Sequence, residues 1–177
     1  DETELKPYFQ LDRMIEAQFD CANRLFGLTF TPLDVPLYHP DARAWEVRKN
    51  GKHLAVFIGD YFARQSKRSG AWCSSFRSQS RLDGEVTPIT VNVCNFAKAP
   101  KSQPSLLTFD DAHTLFHEFG HALHAMLSDV TYDMISGTSV ARDFVELPSQ
   151  LYEHWLTVPD VLQKFATHAE TGKAIPQ

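Results

Sequence analysis

Thr108-Phe109-Asp110-Asp111-Ala112-His113-Thr114-Leu115-Phe116-His117-Glu118-Phe119-Gly120-His121-Ala122-Leu123-His124-Ala125-Met126-Leu127 is the stretch on which the fold turns. Ala112, Leu115, Phe116, Phe119, Leu123 and Met126 recur at steps of three and four, which predicts an amphipathic helix over residues 108–127. Thr108 followed by Asp111 predicts a capping-box start, with Asp in place of the more usual Glu. Inside the helix, His117-Glu118-Phe119-Gly120-His121 forms an H-E-x-x-H pattern. Side chains four residues apart lie one turn apart on the same face, so both imidazoles can bind one tetrahedral metal. Glu118 sits one step round the helix, where it reaches a bound water rather than the metal. A zinc-bound water has its pKa pulled to roughly 7, and a neighbouring carboxylate can take its proton. With 8 His among 177 residues, chance produces the pattern in about 2% of shuffled chains.

A catalytic zinc takes three protein ligands and keeps one position open. Residues 142–156 predict a second helix, kinked by Pro148, that carries Glu146, Glu153 and His154. Glu146 and Glu153 are seven apart and share a face, so helical spacing alone does not choose between them. Apolar neighbours in Phe144-Val145-Glu146-Leu147-Pro148 favour Glu146, and Glu153 reads as a solvated helix-face carboxylate. Asp143, three before Glu146, is the candidate to accept a hydrogen bond from a ligand imidazole. Residues 128–138 predict a loop and residues 160–169 a third helix.

Upstream, Asn50-Gly51 between the runs at residues 44–48 and 53–58 predicts a tight hairpin. Residues 7–26 predict a helix with Pro7 in its first turn and Gly27 as its stop. Residues 28–40, with three prolines, predict a loop or isolated extended pieces. Residues 60–84, which hold Arg64, Lys67, Arg68, Arg77 and Arg81, predict a solvated loop. Residues 87–93 read as a strand, and Pro88 predicts a sheet edge, placed beside the site to pair with an extended peptide. The expected fold class is α+β, mainly helical. It divides into a helix and linker (1–43), a small antiparallel sheet (44–96) and metal-binding helices (106–177), together one partial catalytic domain.

Composition bounds the function. Hydrophobic residues make up 43% and charged residues 22%, enough to bury a core. A net charge of −5 argues against a general nucleic-acid binder. No apolar run is long enough to span a bilayer as a helix. Cys21, Cys73 and Cys94 lack C-x-x-C spacing and read as inert buried thiols. The chain opens on Asp1 without a signal segment and closes on turn residues, which leads us to expect a piece of something longer.

The H-E-F-G-H pentapeptide and the run from Gly137-Thr138-Ser139-Val140-Ala141-Arg142-Asp143-Phe144 through Val145-Glu146-Leu147-Pro148-Ser149-Gln150 resemble the thimet-oligopeptidase-like zinc metallopeptidases. Within that family they are most similar to the bacterial dipeptidyl carboxypeptidase branch. Arg64, Lys67-Arg68-Ser69-Gly70-Ala71-Trp72-Cys73 and Val93-Cys94-Asn95-Phe96 carry the resemblance upstream, as does Arg24-Leu25-Phe26-Gly27. It implies a zincin-like core, one zinc on His117, His121 and Glu146, and Glu118 as general base. It further implies short peptide substrates and release of C-terminal dipeptides, with internal cleavage or a catalytically incomplete zinc-binding fragment as alternatives. The implied compartment is the bacterial cytoplasm, with the periplasm as the alternative. Family members run past both ends of this chain, and the tyrosine- and histidine-bearing segment that stabilises their tetrahedral intermediate has no match here. The expectation is therefore weak activity for the chain alone, and self-association through apolar surface left uncovered.

Overall fold

The computed structural model describes residues 2–176. A short helix α1 (Glu2–Leu5) and a 3₁₀ turn (Lys6–Tyr8) lead into α2 (Leu11–Phe26). Five strands follow: β1 (Leu28–Leu33), β2 (Arg43–Lys49), β3 (Lys52–Phe62), β4 (Trp72–Arg77) and β5 (Ile89–Phe96). Helices α3 (Phe109–Met126), α4 (Leu147–Glu153) and α5 (Pro159–Phe165) complete the chain, with 3₁₀ turns at Asp133–Ile135 and His154–Thr157. The helical content exceeds the strand content, as expected of an α+β chain.

The strands form one mixed sheet in the order β1-β2-β3-β5-β4. It is not the antiparallel sheet that the hairpin suggested, because β3 and β5 pair in parallel, Val56 opposite Ile89. Asn50 and Gly51 both take positive φ, 52° and 75°, and close the β2–β3 hairpin as predicted. Residues 28–33, expected as loop or isolated pieces, pair along their whole length with β2. Pro32 is tolerated there because β1 is a sheet edge. Helix α2 starts at Leu11, so Pro7 lies in the preceding 3₁₀ turn, and Gly27 closes the helix at φ 69°.

The strand over residues 87–93 is misplaced by its proline. Pro88 lies just before β5, which is flanked by β3 on one side and β4 on the other. The edge beside α3 is β4, within the segment expected to be a solvated loop. Composition hid it because its charges are satisfied by distant backbone. The Asp60 side chain is 1% exposed and the Lys67 side chain 4%. Lys67 Nζ donates to the Phe62, Cys94 and Asp60 carbonyls at 2.6, 2.7 and 3.0 Å and pairs with Asp60 Oδ1. Arg64 donates to both Asp60 oxygens at 2.7 and 2.6 Å, and Tyr38 Oη adds a fourth donor at 2.9 Å.

The main core lies between one sheet face and helices α2 and α3. It is built from Phe57, Tyr61, Phe96, Met14, Phe116 and Phe119, each buried. A smaller cluster (Ala44, Ile58, Val91, Val93) covers the opposite face. The α3 capping box forms as expected, with Asp111 N–H donating to Thr108 Oγ1 and Thr108 N–H donating to Asp111 Oδ2. All three cysteines are free, and burial pushes the Cys21 thiol up to about 11 and those of Cys73 and Cys94 further. An apolar groove of about 630 Å³ opens between the C-terminal half of α3 and α4, rimmed by exposed Phe144, Leu151 and Trp155. No helix among the described residues is long and apolar enough to cross a membrane.

Burial alone would raise the Asp60 carboxyl, but hydrogen bonds from Arg64, Lys67 and Tyr38 outweigh it and hold it at about 2, against an ordinary 3.8. Asp60→Asn should therefore destabilise the fold by about 3–5 kcal/mol, because Lys67 loses its counter-charge in place. A depressed carboxylate stabilises above its unfolded value and ceases to do so as pH falls through its folded one. The gap between wild type and variant in denaturant melts should be full above about pH 4 and close toward about pH 2. An equal gap at both ends would refute this assignment.

Candidate metal centre

Three side chains meet where α3 faces the start of α4. His117, His121 and Glu146 each offer one donor atom, and these lie within 4.8 Å of one another. Glu146 Oε2 is 3.2 Å from His117 Nε2 and 3.1 Å from His121 Nε2. The two rings stand edge to face, 86° apart, with both Nε2 atoms turned to the same carboxylate oxygen. Tetrahedral ligands at about 2.0–2.2 Å from an ion would lie roughly 3.4 Å from each other, so this donor set fits one metal with little movement.

Local sequence accounts for each placement. The i, i+4 spacing on α3 stacks the two histidines. Glu146 is the residue before α4 and not part of a longer helix kinked at Pro148: the proline lies in the first turn of α4, where its missing N–H costs nothing. Residues 142–146 form turns instead of helix. The buried Ser149 hydroxyl contacts both the Glu146 carbonyl, at 2.8 Å, and Oε2, at 3.0 Å, and so aims the carboxylate at the imidazoles.

Glu153 is not a solvated carboxylate. Its side chain is 18% exposed, and Oε1 lies 2.5 Å from His117 Nδ1. A carboxylate at Nδ1 orients the ring, with Nε2 turned to the centre where an ion would sit. Asp143, the sequence candidate for this role, is exposed, and His154 is exposed as well. The signal for Glu153 was present in its seven-residue offset from Glu146, but spacing does not say which of two carboxylates ligates and which supports.

Glu118 is buried, and its Oε2 makes no hydrogen bond to the described residues. Burial pushes its carboxyl up to about 7; nearby Glu146 adds to the rise and His117 opposes it. His117, Glu118, His121 and Glu146 line an open cavity of about 370 Å³ with Ala71, Trp72 and Cys73, so the head of β4 forms one wall. The cavity thus brings together three side chains that could hold a metal ion, a carboxylate pushed up to about 7 and the head of an edge strand.

Gly120 decides how closely the two helices cross. A Cβ there would lie 2.6 Å from Ser149 Cα and 3.0 Å from both the Pro148 carbonyl oxygen and Tyr152 Cβ. A helical Gly costs about 1 kcal/mol relative to Ala, but overpacking against backbone costs about 1–3 kcal/mol and should win. Gly120→Ala is expected to lower the melting midpoint and weaken metal binding together, since α4 carries Glu146 away as it retreats. A more stable variant with unaltered metal affinity would contradict this geometry.

Comparison with known proteins follows the same lines. The profile of peptidase family M3 matches residues 1–177. The chain is 49% identical over 179 residues to a dipeptidyl carboxypeptidase of Escherichia coli (strain K12), covering 99% of this chain and 26% of that protein. It is 38% identical to oligopeptidase A of the same organism (98% and 26%) and 41% identical to a thimet-like oligopeptidase of Dictyostelium discoideum (97% and 27%). The chain therefore spans about a quarter of the length of the curated relatives it matches.

Proposed function

Because the chain belongs to peptidase family M3, we propose that it is the metal-holding core of a zinc-dependent peptidase that hydrolyses short peptides and releases C-terminal dipeptides. The observation that carries this reading is the convergence of His117, His121 and Glu146 within 4.8 Å, beside the buried Glu118. The dipeptide-releasing preference is supported by the higher identity to the dipeptidyl carboxypeptidase than to the oligopeptidases.

His117, His121 and Glu146 would hold one zinc. When bound, the ion would polarise the scissile carbonyl and acidify an attacking water. Glu118 takes the proton from that water and returns it to the nitrogen of the leaving amine. A carboxyl pushed up to about 7 suits both halves of the task, since it accepts and releases a proton near neutral pH. Glu153 holds the His117 ring, and Ser149 holds the Glu146 carboxylate. The free edge of β4 runs along the cavity wall through Trp72 and Cys73. A peptide in extended form can pair its main chain with that edge, the role expected at first of residues 87–93.

Glu118→Gln should keep one zinc per chain yet lose at least about 10²-fold in turnover, because the base is gone and the ligands remain. His117→Ala should lose both. Metal analysis and peptide turnover on the same preparations read the two effects separately. Loss of zinc in Glu118→Gln would make that residue a ligand or a prop. Amidating the substrate's C-terminus should abolish cleavage by a dipeptide-releasing enzyme, and continued internal cleavage of the amidated peptide would assign the oligopeptidase mode instead.

A further inference from the structure

His113, His117 and His121 stand one turn apart along a single face of α3. Glu146 and Glu153 stand two turns apart where α4 crosses that face. The two rows interleave. Glu146 Oε2 touches His121 and His117, Glu153 Oε1 touches His117 Nδ1, and Glu153 Oε2 lies 3.1 Å from His113 Nε2. We propose that His113 is a positioning residue of the metal centre: it holds the free oxygen of Glu153 and so fixes the carboxylate that orients His117. The inference rests on the reading of His117 as a metal ligand, but nothing in that reading requires His113.

The alternative is a surface His–Glu pair with no effect beyond itself, the usual outcome for exposed ion pairs. Three features favour a positioning role. The Glu153 side chain is 18% exposed, so its oxygens have little water to turn to. One oxygen is already committed to His117, so His113 sets the rotation of the whole carboxylate. Histidine at 113 reaches Glu153 from the same helix that carries His117, so the clamp moves with the ligand it serves. His113 is itself further held by Phe109, whose ring centroid lies 6.4 Å away, one turn back.

The test uses the full chain and two measurements: zinc affinity by competition with a chromophoric chelator, and the melting midpoint of the metal-free protein. Direct partners of ligand histidines are worth 10–100-fold in metal affinity, so a group one contact further out should be worth about 3–10-fold. His113→Leu should weaken zinc by that amount with the metal-free midpoint unchanged, and His113→Ala provides the same comparison if the leucine variant does not fold. His113→Gln, which keeps an N–H donor for Glu153, should stay within about twofold of wild type. In a Glu153→Ala background, His113→Leu should cost nothing more, because its route to the metal is already cut. Tight wild-type binding that His113→Leu and His113→Ala leave unaltered would overturn this inference alone. A glutamine variant as weak as the leucine one would overturn it too. Failure of the wild-type chain to bind zinc would remove the metal reading itself and this inference with it.

Discussion

The site depends on one close approach: the backbone of α4 at Ser149 against the bare Cα of Gly120. Glu146 precedes α4 by one residue, so its carboxylate goes where that helix start goes. The contact is reinforced from behind. Tyr152 stacks on Phe116 and sends its hydroxyl to the Gln18 carbonyl of α2 at 2.6 Å, locking α4 to the far side of the core. Phe119, on the face of α3 opposite His117 and His121, meets Phe57, Phe19 and Phe30. The helices that carry His117, His121 and Glu146 are thus held together by apolar packing, while Glu153 and Ser149 make the polar contacts to the side chains themselves.

Three carboxylates crowd this centre, and their environments divide the labour among them. Glu146 is half exposed and turns one oxygen to two imidazoles. Glu153 is largely covered and contacts imidazole nitrogens through both oxygens, which holds its carboxylate in place. Glu118 is buried with no such partner on Oε2, and its proton affinity rises accordingly. The residue with the fewest contacts is the one suited to exchange a proton, and the two with partners are suited to stay fixed.

Much of this was legible in the sequence where the determining interactions are local. The capping box, the apolar stripe of α3, the i, i+4 histidines and the Asn50-Gly51 turn each involve residues within a few positions of one another. What was misread involves partners far along the chain. Lys67 looks like surface charge until the carbonyls of Phe62 and Cys94 close over it. Pro88 signals an edge, yet the strand begins one residue later and is covered by β4. Pro148 signals a kink but in fact opens a helix. Glu153 and Asp143 exchange roles because only the crossing of α3 and α4 decides which carboxylate meets His117.

The same contrast explains how a weakly buried strand comes to line the site. Almost every residue of β4 is exposed, so the hydrophobic effect holds it only slightly. Its register is instead fixed by polar pins at the approach. Asn95 of β5 donates to the Arg68 and Gly70 carbonyls, both at 2.7 Å, and Lys67 ties the same segment to β3 and β5. These pins leave the outer edge of β4 unpaired while fixing its position relative to the core strand beside α3. An apolar anchor would have buried the strand and closed the edge. A polar one holds it in place and leaves its outer edge without a strand partner among the described residues, so Trp72 and Cys73 reach the cavity from a strand that the core does not enclose.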